Sequence, residues 1–120
     1  MQAFNQTRGA ILCARLEDAG GLGGKSRGLL GRDGLDPDMG MLFKAGRLEP
    51  FMWMHMFFMR FPIDILFLDR HRHVLRICHS LKPWRLSPPV WGAGYALELA
   101  SGAASRIGTE NGDLIEIVPS

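Results

Sequence analysis

The residues with chemical potential gather in one stretch, residues 51–69, FMWMHMFFMRFPIDILFLD. His55 and Asp64 can move protons or hold a ligand, and Met52, Met54, Met56 and Met59 carry soft thioethers. Asp64 stands between Ile63 and Ile65, where an ionised carboxylate is costly unless paired or multiply hydrogen-bonded. Two roles meet that condition. One is a pocket acid or ligand anchor; the other is a structural carboxylate that ties backbone N–H groups or pairs with Arg60 or Arg85. His55 with Met52, Met56 and Met59 offers ligand types suited to Cu(I). A strand would point His55 away from Met52, Met54 and Met56, whereas a helix would unite it with Met52, Met56 and Met59. Thioethers packed on aromatic rings explain the same residues without a metal, and core packing is the first expectation.

Other motifs carry weaker chemistry. Residues 20–26, GGLGGKS, come close to a phosphate-binding loop, but Ala19 occupies the position of its first glycine. A glycine linker before a helix capped by Ser26 is the preferred reading. Cys13 and Cys78 are far apart with no CxxC spacing, so a zinc site is not expected and free buried thiols are. His79 would point to the opposite face of a strand from Cys78, so no nucleophile and base are forced together. Trp84, Arg85 and Trp91 lie on a proline-rich loop, and rings beside a guanidinium suit the lip of a pocket or a partner surface.

These groups need elements to hold them. Residues 10–16 and 41–43 read as apolar strands, and Pro62 divides the long apolar stretch into strands at 52–57 and 63–68. In the first, Met52, Met54 and Met56 share one face and Trp53, His55 and Phe57 the other. In the second, Ile63, Ile65 and Phe67 oppose Asp64, Leu66 and Leu68. Both faces are apolar, so both strands should be covered on each side. Further strands are expected at 74–78, 95–99 and 114–118, a long loop at 80–94, and short helices at 26–30 and 102–107, the second capped by Ser101. The expected fold is α+β or mainly β: a single compact domain over residues 10–118 after an N-terminal tail, 1–9. Six to seven short strands would form a strongly twisted sheet, partly closed on itself, with two short helices.

Composition narrows the function classes. A chain of 120 residues with 47% apolar and 22% charged residues has room for one core. Net charge is +2 and the 14 basic residues are scattered, which gives no electrostatic case for nucleic acid or an anionic membrane. Residues 51–68 are not expected to span a bilayer: Arg60 and Asp64 would each cost about 2.5–3.5 kcal/mol near its centre. Pro62 would also break the helix. The first residues lack the features of a signal peptide, so the expectation for the chain as written is cytoplasmic.

A longer pattern runs through the chain: Arg27-Gly28-Leu29-Leu30, Gly40-Met41-Leu42-Phe43, Met59 followed by Pro62-Ile63-Asp64, Pro83-Trp84-Arg85, Leu97-Glu98-Leu99-Ala100-Ser101-Gly102, and Gly112-Asp113. From about Ile11 to Ile117 the chain resembles the DUF192 family of bacterial and archaeal domains of unknown function. The resemblance implies a compact sheet domain, often exported in other members, and no established reaction, cofactor or substrate. Many relatives carry Trp-Met-Lys-Asn-Thr before the Pro-Ile-Asp equivalent; here Trp53-Met54 is followed by His55-Met56-Phe57, so no role of that lysine or asparagine carries over. Other relatives place a His three residues before a Phe-Met pair, as His55 stands to Phe58-Met59.

The first functional expectation is a non-catalytic binding or accessory module for a small molecule or protein, without a cofactor. Its site would use Asp64, Arg85, Trp53, Trp84 and His55. The alternatives are Cu(I) handling through His55, Met52, Met56 and Met59, and a small hydrolase or transferase using His55 and Asp64.

Overall fold

The computed structural model describes residues 1–19 and 33–119. Its central layer is a five-stranded sheet in the order β3 (Arg15–Asp18), β4 (Met39–Lys44), β9 (Ala93–Ala100), β6 (Ile63–Asp69) and β7 (Val74–Leu81). Only β3 and β4 pair in parallel; the other contacts in this sheet are antiparallel. A three-stranded sheet, β10 (Ile115–Val118), β1 (Gln2–Asn5) and β2 (Ala10–Cys13), lies on one side together with a short helix, α1 (Ala103–Arg106). A two-stranded pair, β5 (Phe51–Met52) with β8 (Val90–Trp91), begins the cover on the other side.

The alternation in the sequence explains this layering. Along β6, Leu66 and Leu68 join Leu16, Leu42, Leu97 and Leu99 against Ala3, Leu12, Ile115 and the helix alanines. Ile63, Ile65 and Phe67 point the other way and join Met41, Phe43 and Ala96 under Met52, Met56, Met59 and Val90. All residues from Ile63 to Leu68 are buried, as expected for a central strand covered on both faces. Gly40 marks the closest approach of the layers: a Cβ there would lie 2.8 Å from Leu99 Cδ2 and 2.9 Å from Cys13 Sγ. Only a glycine lets β4 pass that point without a shift.

The domain is mainly β within an α+β class, as expected, but finer details differ. The described residues hold ten strands rather than six to seven, and one helix, at the second of the two expected positions. Residues 1–9, expected as a tail, contain β1, which is the middle strand of its sheet. The single strand expected at 10–16 breaks at Ala14 into β2 and β3, which serve different sheets. The expected helix at 26–30 and the glycine-rich segment 20–26 lie outside the described residues. No helix among the described residues is long and apolar enough to cross a membrane.

Candidate functional site

The stretch after β5 does not continue as the regular strand expected at 52–57, nor does it form the alternative helix. The returning segment carries Pro83, Pro88 and Pro89, which lack backbone donors, and a full ladder cannot form against it. A ribbon of individual bonds replaces the ladder. The Met54 amide donates to Ser87 Oγ and Met54 O accepts from the Ser87 amide, both at 2.8 Å. His55 bridges Leu86, the Met56 amide donates to Arg85 O at 2.8 Å, and Met56 O accepts from Trp84 N at 2.7 Å. The expected alternation of faces survives this irregularity. Met52 and Met56 are buried on the central sheet, whereas Trp53 and Phe57 are exposed and His55 is half-buried.

The outer face of the ribbon is a row of rings. His55 stacks on Phe57 with centroids 5.0 Å apart, and Trp53 lies 6.3 Å beyond His55. Phe57 reaches Trp84 at 6.2 Å, and Trp84 meets Phe58 at 4.9 Å. Phe51 and Trp91 form a second contact, also at 4.9 Å, across the β5–β8 pair. Phe58 and Trp91 remain 67% and 65% exposed, so this is an open surface and not a sealed core. Phe58 and Trp84 both adopt left-handed backbone conformations, with φ of 63° and 67°. Bulky residues seldom hold that conformation, and such strain concentrates at functional positions.

Cations flank the rings. Lys82 and Arg85 are exposed at the two ends of the turn that carries Trp84, closed by Arg85 N donating to Lys82 O at 3.3 Å. Arg60 follows Met59 and pairs with exposed Asp33 at 3.0 Å. Residues 51–60 and 82–91 contain no Asp or Glu. The acid just before them, Glu49, accepts from its own turn at Gly46 N.

Asp64 stands apart from this surface. It is fully buried, and its two oxygens accept from Ser80 N at 2.8 Å and Ala104 N at 3.0 Å. The carboxylate therefore caps α1 and anchors Ser80, whose φ is 47°. The Ser101 cap expected from sequence is not made; Gly102 is the N-cap and provides no side chain. Neither Arg60 nor Arg85 pairs with Asp64, and no contact joins Asp64 to His55. The proposed copper ligands are likewise divided: Met52, Met56 and Met59 pack in the core, while His55 Nδ1 accepts from Phe57 N at 3.3 Å on the outer surface. Of the predicted site residues, Trp53, His55, Trp84 and Arg85 share the ribbon and Asp64 does not.

One unusual group escaped sequence reasoning. Glu98 projects from β9 between Met41 and Ile65 on the neighbouring strands, on the face covered by the ribbon. It is only 7% exposed and forms no hydrogen bond or ion pair among the described residues. Burial pushes its carboxyl up to about 8. The alternation of residues 95–99 places Glu98 opposite Leu97 and Leu99, but only the ribbon's position reveals that this opposite face is also covered. Cys13 is buried and Cys78 half-buried; both are free thiols pushed upward mainly by burial. A shallow groove between β7 and the turn at 109–111 is lined by Arg76, His79 and Glu110, and none of the predicted site residues lines it.

The fold and this surface define a small mainly-β domain with a central sheet covered on both faces and an aromatic ribbon as its outer cover. The chain belongs to DUF192, a family described as uncharacterised ACR, whose model matches residues 4–117. A UPF0127 protein of Thermococcus sibiricus is 32% identical over 118 residues, covering 94% of this chain and 72% of that relative. A UPF0127 protein of Thermococcus kodakarensis is 39% identical over 66 residues, 55% of this chain and 41% of that protein. The crystal structure of a protein of unknown function from Novosphingobium aromaticivorans matches with a TM-score of 0.85 and 26% identity. That match covers 98% of this chain and 84% of the other. A Sinorhizobium meliloti protein, named for transcription regulation, matches with a TM-score of 0.76 and 27% identity over 96% of this chain and 89% of that one.

Proposed function

We propose that this domain is a non-catalytic binding module that docks onto a larger surface through the outer face of its aromatic ribbon. One observation carries the reading. The ribbon is apolar on both faces; the central sheet covers the methionine face, while large rings on the other remain exposed. An apolar patch of this kind on a folded domain marks an interaction surface. Trp53, His55, Trp84 and Arg85 belong to that face, and Asp64 belongs to the frame that fixes α1 and Ser80. The row is open, with rings outward, and suits a surface more than an enclosed small molecule.

The alternatives have less support. A catalytic use of His55 with Asp64 requires one cavity shared by both, and Asp64 has both oxygens committed to backbone amides. A copper site on His55 with Met52, Met56 and Met59 requires ligands that now face opposite sides of the ribbon. Transcription regulation, the name attached to the Sinorhizobium relative, finds no support in a net charge of +2.

Substitution separates docking rings from structural ones. Trp84→Ala is expected to leave the thermal unfolding transition near the native one while abolishing uptake of the neutral apolar dye Nile red by the folded protein. A loss of several kcal/mol, as for a buried aromatic residue, would make Trp84 a structural plug and overturn the reading.

A further inference from the structure

The chemistry of the ribbon's outer face also specifies what it docks against. Resting on the docking reading above, we infer that the face binds the headgroup layer of an anionic phospholipid bilayer, lying on the membrane without spanning it. Three observations converge on that occupant.

The first is the lack of free side-chain hydrogen-bond acceptors. Protein interfaces typically carry about one hydrogen bond per 100–200 Å². Here the Ser87 hydroxyl is used by Met54 N and Pro88 O, and His55 Nδ1 is used by Phe57 N. The amides of Met54, Met56, Trp84 and Ser87 are spent inside the ribbon. What remains is rings, the indole N–H groups of the exposed tryptophans, and cations, a set made of donors. The phosphate and carbonyl oxygens of a lipid headgroup layer accept from such donors without requiring a fixed register.

The second observation is charge. Lys82 and Arg85 border the rings with no carboxylate partner among the described residues, Arg60 is already paired with Asp33, and the two segments 51–60 and 82–91 contain no acid. Sequence counting treats these cations as scattered; folding brings Lys82 and Arg85 beside the ribbon through the bond of Met56 N to Arg85 O. Pairing this face with a second copy would set like charges against one another. An anionic lipid surface attracts the same charges within a Debye length of about 8 Å at physiological salt.

The third observation is the type and placement of the rings. Tryptophan and phenylalanine beside Lys and Arg is the composition that settles at the bilayer interface. Trp53, Phe58, Trp84 and Trp91 are all exposed, and Phe58 and Trp84 sit on turns in the left-handed conformation. With so few cations and rings, the binding is reversible and strongly dependent on salt.

The full chain is mixed with vesicles of phosphatidylcholine alone and with vesicles containing a minority of phosphatidylglycerol, and followed by co-sedimentation and Trp fluorescence. Expected are binding roughly tenfold tighter to the anionic vesicles, a blue-shifted emission, and release at high salt. Lys82→Gln should weaken binding to the anionic vesicles roughly fivefold with Nile red uptake and thermal unfolding unchanged. Trp84→Ala should lose both vesicle binding and dye uptake. Native protein that takes up Nile red but ignores both vesicle types would overturn the lipid inference and leave the docking reading standing. Failure to take up the dye as well would sink both. A dimer at micromolar concentration that loses dye uptake on association would name a second copy as the occupant and also overturn the inference.

Discussion

Replacing Glu98 by Gln tests the physics of the covered sheet face most directly. The native carboxyl is pushed up to about 8, against an ordinary value of 4.5, and burial is the cause. A raised carboxyl binds its proton more tightly in the folded chain than in the unfolded one. Its protonated form is tolerated below pH 4.5, and folding stability then falls as pH rises from there to about 8. Each pH unit in that window is worth about 1.4 kcal/mol. The whole window amounts to roughly 5 kcal/mol, of which about 3 kcal/mol is already lost at pH 7. Glutamine occupies similar space and never ionises. Urea unfolding of both proteins at a series of pH values from 5 to 9 should therefore give curves that converge at the acid end and diverge upward. Near pH 9 the Glu98→Gln protein should be the more stable by several kcal/mol. Other titrating groups cancel in the difference because they are common to both chains. Two parallel curves would refute the argument, since they would mean that the carboxyl is solvated or paired in the folded domain.

Four further outcomes follow from the same geometry. Asp64→Asn keeps one acceptor but turns an N–H group toward a backbone donor, so urea unfolding should show a loss of roughly 2–4 kcal/mol. Gly40→Ala puts a methyl 2.8 Å from Leu99 Cδ2 and should cost about 1–3 kcal/mol in the same assay. Phe58→Gly releases a left-handed backbone worth about 1–2 kcal/mol while losing mostly exposed surface. Calorimetry should find its stability within about 1 kcal/mol of native, and Nile red uptake should fall. Asp113 is pushed upward by burial, but hydrogen bonds from Arg8 and Asn5 hold it below the usual carboxylate range. Its contribution is therefore complete at neutral pH and lost as pH falls through that lowered range, and an Asp113→Asn chain should show a flatter acid limb in pH-dependent unfolding.

The central strand was open to reading because two faces of one short apolar run leave little choice: Ile63, Ile65 and Phe67 must oppose Leu66 and Leu68. The ribbon was half legible. Alternation separated Met52 and Met56 from Trp53 and Phe57 correctly, but the regular strand expected there ignored its partner, whose prolines deny it a ladder. Pairing with a distant segment cannot be seen in local periodicity, and the same blindness hid β1, whose neighbours are β2 and β10. Asp64 was legible as a carboxylate in need of donors; that the donors are Ser80 N and Ala104 N, 16 and 40 residues away, depends on topology. The aromatic candidates were found by residue type, and their union into one row came from the 33-residue separation closed between Met54 and Ser87.

The pairing of Gln2 with Val118 in the outer sheet brings the two extremities of the chain together. Any tether attached at either extremity would depart from nearly the same corner, so a carrier domain could be grafted at front or back with the same pose. A few linking residues would close the polypeptide into a circle, and fresh ends cut at the exposed Leu48 would give a permuted chain that keeps every sheet contact.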